Sequence, residues 1–293
     1  MRKYLHGDEK PPPGVHVKIG PRGGRYYDTE EHRKFLPLVP DDIQSAVRFS
    51  ELGWEGGIHE DRTHLIRLHP GVWDPEPGLH DVLGIFKPET EAQDPHAEVL
   101  AYQLDQILGF NVIPESRYTS VPEVGSISRW VDHMNSEEST AAVGASLGGR
   151  ELSPRQREDF IKVILLDVVI GNSDRHGGNW IADFGADRVW GIDHGVAFRK
   201  LSRDDAETDM LLSLAGAGLD DVSDLQDAFS EHRRRILDSA DELIETARSV
   251  GGERYSSAVR NNLRVLAMIR ELPPAREIRE TMQFIQILDR EDL

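Results

Sequence analysis

The chain has 293 residues, 52 of them acidic against 34 basic, for a formal net charge of −18. That length buries a full hydrophobic core, and a field this negative disfavours loose attachment to anionic membranes or DNA. The absence of cysteine excludes disulfides and thiol catalysis and fits a reducing cytosol. Met1–Lys10 is polar, without the apolar core of a signal peptide. The most apolar long run, Phe160–Ile170, is broken by Lys162 and Asp167 and is too short to span a bilayer. The expectation is a soluble, cytoplasmic protein with no integral membrane association.

Taken in chain order, residues 1–40 read as an N-terminal extension. Pro11-Pro12-Pro13 is a stiff spacer. Val15–Ile19 and Arg25–Asp28 then flank Gly20-Pro21-Arg22-Gly23-Gly24, which predicts a β-hairpin. Lys18, Arg22 and Arg25 make it locally basic, so it is either a docking element for an acidic partner or nucleic acid, or a plain extension. Elsewhere nucleic acid is not expected. Gly53-Trp54-Glu55-Gly56-Gly57 precedes a predicted strand at Thr63–Leu68. Its backbone N–H groups, with Gly56 and Gly57 at the bend, suit a phosphate cradle, and they equally suit a surface turn.

Val82–Pro88 reads as a buried strand ending in Lys87, one of only seven lysines. A lysine leaving an apolar strand is either solvated at the strand end or paired with an anion. Asp94 as N-cap and Pro95 at the first helical position start a helix that Gly109 stops. Glu98 sits on its first turn, where a carboxylate also favours the helix dipole. Val112–Pro114, Ser116–Val121 and Ser126–Val131 predict short strands, and Asn135–Gly149 an acidic linker. Ser153-Pro154-Arg155-Gln156 is a capping box opening a helix to Val169 that turns Phe160, Val163, Ile164 and Val168 inward. Further helices are predicted near Glu207–Leu214, from Leu225 to Val250 with Gly251-Gly252 as stop, near Ser257–Leu272, and after Pro273-Pro274 around Ile278, Met282, Ile285 and Ile287. Arg233-Arg234-Arg235 reads as a solvated helix face.

The chemistry concentrates in Gly171–Phe198. Asp174 and Asn179 are five residues apart and Asp193 follows fourteen later. Between them, Trp180–Ala182 and Val189–Ile192 are short apolar runs around a Gly/Asp turn, the pattern of a hairpin. An Asp that holds an attacking hydroxyl, an Asn that turns back to a metal, and a second Asp before a Gly form the order of a phosphotransferase site. Gly177-Gly178 allows the tight bend between them. A zinc site built on His176 and His194 is the alternative metal reading, without cysteine or a close His pair to support it.

Asp174-Arg175-His176-x-x-Asn179 resembles the catalytic loop of the phosphatidylinositol 3-/4-kinase superfamily. Ile192-Asp193-His194-Gly195 resembles its Asp-Phe-Gly segment, with His in place of Phe. The chain looks like a small prokaryotic or phage-type member, and Gly20–Tyr27 is similar to short segments of phage-associated proteins. The resemblance implies an α+β, two-lobed protein-kinase-like fold, with a β-rich small lobe at 41–132 and a mostly helical large lobe at 133–293. It implies ATP and Mg²⁺ (or Mn²⁺) as cofactors, with Asp174 as catalytic base and Asn179 and Asp193 as metal ligands. Lys87 would contact the α/β-phosphates, steadied by Glu98. Ser128, Trp130 and Val131 become candidates for the hinge beneath adenine, together with Arg129. Arg175 or His176 would contact the γ-phosphate or brace the loop.

The expected reaction is γ-phosphate transfer to a hydroxyl-bearing substrate. A protein Ser/Thr is favoured over a lipid, because the acidic surface counts against a phosphoinositide membrane. No G-x-G-x-x-G occurs, which leaves open a kinase-fold adenylyltransferase. A non-catalytic nucleotide-binding regulatory module is the third reading, against which the intact Asp174, Asn179 and Asp193 set argues.

Overall fold

The structure, a computed structural model, describes residues 2–4, 18–19, 25–28, 47–48, 64–68, 82–90, 94–119, 124–131, 141–144, 147 and 150–291. It is α+β, as expected from the sequence, and divides into two compact units. One comprises Met1–Pro95 with Glu115–Trp130, and the other His96–Pro114 with Val131–Leu293. Among the described residues no helix is long and apolar enough to cross a membrane.

The first unit is strand-rich. β1 (Arg2–Tyr4), β2 (Lys18–Ile19) and β3 (Arg25–Asp28) form a three-stranded sheet in the order β1-β3-β2. β2 and β3 are the arms of the hairpin read from the Gly-Pro-Arg-Gly-Gly turn, and β1 adds to the other edge of β3. β4 (Val47–Arg48), β5 (His64–Leu68), β6 (Val82–Pro88), β7 (Ser116–Thr119) and β8 (Gly125–Arg129) make an antiparallel sheet ordered β4-β5-β6-β8-β7. Along β6 the burial alternates: Gly84, Phe86 and Pro88 are buried, while Ile85 and Lys87 are half-buried. That is the period of two expected where successive side chains leave opposite faces.

The second unit is mostly helical. α1 (Pro95–Leu108) starts at the predicted proline and stops at Gly109, whose φ is 57°. The segment expected to continue as a strand at Val112–Pro114 is a loop instead. Its backbone N–H groups are taken by a side chain: Asp105 accepts from Val112 N at 3.1 Å and Ile113 N at 3.4 Å. A carboxylate that satisfies two consecutive amides removes the reason to pair with a sheet.

β9 (Ala141–Val143), inside the expected linker, pairs with β10 (Trp180–Asp183), which pairs in turn with β11 (Arg188–Gly191). α2 (Pro154–Ile170) opens with the capping box in full: Ser153 Oγ accepts from Gln156 N at 3.1 Å, and Gln156 Oε1 accepts from Ser153 N at 3.0 Å. The expected inward face of α2 was too narrow. Ile161, Leu165, Leu166 and Val169 are buried with Phe160, Val163, Ile164 and Val168, so from Val163 onward the helix is covered on all sides. The β10–β11 hairpin lies against it, as do later helices.

Those helices are α3 (Arg203–Gly216), α4 (Gln226–Asp238), α5 (Ala240–Met268) and α6 (Ala275–Glu291). The single helix expected from Leu225 to Val250 is two, because the chain breaks at Ser239. The expected stop at Gly251-Gly252 appears as a kink, with Gly252 at φ 67° and ψ −154° between two helical stretches of α5. The Arg233–Arg235 run divides its work. Arg233 caps the end of α5, donating from Nε to Leu266 O at 3.0 Å and from Nη2 to Ala267 O at 2.6 Å. Arg235 lies over the Phe110 ring at 6.0 Å, and both it and Arg234 are exposed. In the last helix Ile278 is fully buried and Met282 and Ile285 partly so. The Ile287 side chain lies outside the described residues.

Candidate active site

Everything in the site begins at the C-terminus of α2. Gly171 closes the helix in the left-handed region, φ 64° and ψ 43°. A Cβ there would stand 2.0 Å from the Arg199 carbonyl oxygen, so both dihedral and space demand glycine. The next residue, Asn172, is buried and donates to Asp167 Oδ1 at 2.8 Å. Its own Oδ1 accepts from Asp174 N at 3.3 Å. Asp174 therefore hangs from a two-step hydrogen-bond chain rooted in the helix.

Asp167 has a second and larger task. Arg175, 7% exposed, grips it as a fork, Nε to Oδ2 at 2.8 Å and Nη2 to Oδ1 at 2.8 Å. Burial alone would lower the Arg175 pKa. The Asp167 carboxylate, with smaller pulls from Asp193 and Glu98, outweighs burial and holds the pKa above the usual range. The other nitrogen of the fork, Nη1, donates to the carbonyls of Asn179 and Ile192. One guanidinium thus fastens helix α2, the loop at Asn179 and the strand end before Asp193.

Asn179 is 5% exposed, and its amide nitrogen donates to Asp174 O at 2.8 Å and Asp174 Oδ2 at 3.2 Å. Because the amide is planar, spending the nitrogen on Asp174 turns Oδ1 the other way, as a hard oxygen donor. The hairpin brings the chain back: Ile192 N donates to Asn179 O at 3.0 Å, which sets Asp193 beside the Asn179 loop. The hairpin is itself tied to α2. Gln156 Nε2 donates to Asp183 O at 3.1 Å, and Arg188 Nε donates to Asp159 Oδ2 at 2.7 Å.

Asp193 has φ 61°, a conformation Asp tolerates better than most residues and one that clusters at functional sites. Phe198, at φ 67°, is a costlier case for a bulky side chain. Its ring is stacked on Tyr255 at 4.5 Å, and its N–H donates to Ile170 O, which hold it there. Behind it Asn262, fully buried, donates to Arg199 O at 2.8 Å and Val169 O at 3.2 Å and accepts from Leu201 N at 2.9 Å.

The structure brings Asp174, Asn179 and Asp193 together in the second unit, with Glu98 (3% exposed) acting on the same Arg175. Val131 also belongs to that unit. Lys87, Ser128, Arg129 and Trp130 belong to the first. Lys87 is half-buried on β6 opposite Ser126, and the Ser128 hydroxyl lies 2.8 Å from that of Ser116. Gly56 and Gly57 lie outside the described residues. Of the two candidates left unranked in the loop, Arg175 is the brace, whereas the His176 side chain is 62% exposed, next to an Asp174 side chain that is 54% exposed.

Gly177 and Gly178 do not take a left-handed φ. At Gly178 a Cβ would stand 2.8 Å from the His176 ring, an exposed side chain with room to swing aside. The zinc alternative falls. His194 Nε2 faces the Arg175 guanidinium at 2.9 Å, and among the described residues no group of three or more His, Cys, Asp or Glu side chains could hold a metal. The side-chain oxygens of Asn179 and Asp193 are hard donors, of the kind that suits Mg²⁺ rather than zinc.

Asp167, Asn172 and Asn262 were not recognised from the sequence as site residues. Asp167 left a signal, the one carboxylate in the apolar run Phe160–Ile170, where a buried charge requires a cation. Arg175 is that cation.

No protein-family model matches the chain, and no curated protein matches it. Among solved structures it is similar to the Golgi casein kinase with Mn/ADP bound, at 16% identity over 78% of this chain and 73% of that chain, with a TM-score of 0.43. It is similar to the Helicobacter pylori proinflammatory kinase CtkA at 12% identity, over 78% and 94%, with a TM-score of 0.42. The third is hydra Fam20 with sugar, at 12% identity over 75% and 82%, with a TM-score of 0.43. Likenesses of this size carry none of the functional argument, which stands on the side chains of the Asp174–Asp193 segment.

Proposed function

We propose that the chain is an ATP- and Mg²⁺-dependent phosphotransferase of the protein-kinase-like fold and the phosphatidylinositol 3-/4-kinase-like type. Its acceptor is a hydroxyl, with a protein Ser/Thr favoured over a lipid. The observation that carries this reading is the Arg175 clamp. It holds the backbone at Asn179 and Ile192 through carbonyl oxygens, so the Asn179 amide oxygen is left for a ligand.

In this reading Asn179 and Asp193 hold Mg²⁺, which when bound supplies charge neutralisation to the nucleotide phosphates. Asp174, more than half exposed, orients the acceptor hydroxyl and accepts its proton. Lys87 neutralises negative charge on the nucleotide, and the Ser128–Val131 stretch reads the adenine edge. Such a site works by positioning and electrostatics, with no covalent step on the protein. The domain reading stays with it: an extension at 1–40, a small lobe at 41–132 and a large lobe at 133–293, in a cytoplasmic protein.

The test is intact-mass and phosphopeptide spectrometry of the protein and a host lysate after incubation with ATP and Mg²⁺. Asp174→Asn and Asp193→Asn serve as controls, and Asn keeps the left-handed backbone at 193 accessible. A phosphate adduct lost in both variants supports the proposal and exposes the acceptor class. An AMP adduct, or a phosphate adduct undiminished in Asp193→Asn, overturns it.

A further inference from the structure

His194 stands where the resembled motif has phenylalanine, and its surroundings are polar in a way a phenyl ring could not serve. The side chain is 1% exposed. On one side its Nε2 lies 2.9 Å from Arg175 Nη2. A guanidinium has only donors to offer, so Nε2 must be the acceptor, and the ring's single proton resides on Nδ1. On the other side Nδ1 has no hydrogen-bond partner within range, and the carboxylate oxygen facing it is Glu98 Oε2 at 3.6 Å. A buried ring nitrogen 3.6 Å from a carboxylate oxygen lies just beyond bonding distance, and a shift of under about 1 Å would complete the contact.

We infer that His194 is a positioning residue that couples Glu98 on α1 to the catalytic loop. Accepting from Arg175 fixes the tautomer. The fixed tautomer presents Nδ1–H to Glu98, and the carboxylate is thereby oriented by the same guanidinium that holds Asn179 and Ile192. Glu98 thus takes its orientation from the backbone that sets Asp193. The inference rests on the phosphotransferase reading for its consequence, and on geometry alone for its existence.

The experiment has two arms. In the first, long-range ¹⁵N–¹H spectra of the imidazoles are recorded for the full chain, with His194→Phe assigning the His194 signals. The expected result is a protonated Nδ1 and an unprotonated Nε2, with the Nδ1 resonance moving in Glu98→Gln. An Nε2-protonated ring, or an Nδ1 signal indifferent to Glu98→Gln, overturns the coupling whether or not the protein turns over ATP.

In the second arm, turnover is measured for His194→Phe, Glu98→Gln, the double variant and His194→Gln, whose amide oxygen restores only the acceptor toward Arg175. Thermal melts confirm folding. His194→Phe should lower kcat by about tenfold or more, with KM for ATP changed by less than about threefold, as for a misplaced rather than a missing group. The double variant should be no worse than the poorer single, and His194→Gln should recover part of the loss. Multiplicative losses overturn the positioning role. Absence of turnover in the unaltered protein, with the expected tautomer present, counts against the phosphotransferase reading and leaves the coupling standing.

Discussion

Asp167 is the residue whose loss should propagate furthest, and Asp167→Asn isolates its charge at nearly constant shape. The carboxylate accepts three side-chain hydrogen bonds, two from Arg175 and one from Asn172, all at 2.8 Å. In the variant the amide nitrogen faces donors, so at least one guanidinium bond becomes a donor–donor contact and the Arg175 charge is left buried. Removing one partner of a buried pair costs about 3–5 kcal/mol, and the weakened Asn172 bond adds about 1 kcal/mol. For a domain stable by roughly 5–15 kcal/mol, that is a large share.

Urea unfolding followed by circular dichroism at 222 nm would read it as a lower midpoint with an unchanged slope. The discriminating companion is Asp167→Leu with Arg175→Met, which removes both charges and fills their space. It should recover part of the lost stability, since apolar replacement of a buried pair is often neutral or better, while Asn172 Nδ2 and Ile192 O lose their partners. It should not recover turnover, because the carbonyls of Asn179 and Ile192 have lost their common donor. A loss below about 1 kcal/mol in Asp167→Asn would refute the clamp. So would a double variant that turns over normally.

Two further expectations concern stability. Burial pushes Asp105 from 3.8 up to about 6, against the opposing pull of the Val112 and Ile113 amides. A raised carboxylate pKa favours the fold below the unfolded value, near 4, and loses that advantage as pH climbs through about 6. At pH 8 the native state therefore carries a penalty of order 3 kcal/mol. Asp105→Asn gives up one amide acceptor, so it should be the less stable protein at pH 4.5 and the equal or more stable one at pH 8. Parallel stability–pH curves for the two proteins would contradict this. At the end of α2, Gly171→Ala should lower stability by more than about 1 kcal/mol, the usual left-handed penalty, because its Cβ meets the Arg199 carbonyl. A melting temperature within a degree of the unaltered protein would show that the Arg199 segment moves freely away from α2.

What could be read in the sequence was local. The capping box at Ser153, the proline start and glycine stop of α1, the β10–β11 hairpin and the Gly252 break are each written in a few adjacent residues. The Asp174, Asn179 and Asp193 spacing belongs with them, since a hairpin of fixed length joins them. What stayed hidden was long-range. β9 has too few residues to show a period and exists only because β10 offers an edge. The loop at Val112–Pro114 has strand-like composition, but Asp105, seven residues earlier, takes its amides. The boundary at Ser239 carries no proline or glycine. Asp167 looked like a blemish in an apolar run, because its meaning depends on an arginine eight residues away, around a left-handed turn.

The Arg175 fork takes main-chain oxygens at Asn179 and Ile192, and this choice has a consequence at the proposed metal site. Asn179 keeps its amide oxygen, and its nitrogen holds Asp174 at 2.8 Å and 3.2 Å. Asn179→Asp would exchange that donor for a second carboxylate against Asp174. Two lost bonds and a like-charge contact should lower stability by about 1–3 kcal/mol without divalent ions. A divalent cation held by residue 179 and Asp193 offsets that repulsion, and binding to the native state alone adds about 1.4 kcal/mol at tenfold its Kd. The melting temperature of Asn179→Asp should therefore rise more steeply with Mg²⁺ than that of the unaltered protein, while Ca²⁺-free KCl at matched ionic strength does little. Asn179→Ala removes the ligand oxygen together with the donor. It should show the destabilisation with no steeper Mg²⁺ response. If all three proteins melt identically across a Mg²⁺ titration, the oxygen of Asn179 is not a metal ligand, and the clamp serves the backbone alone.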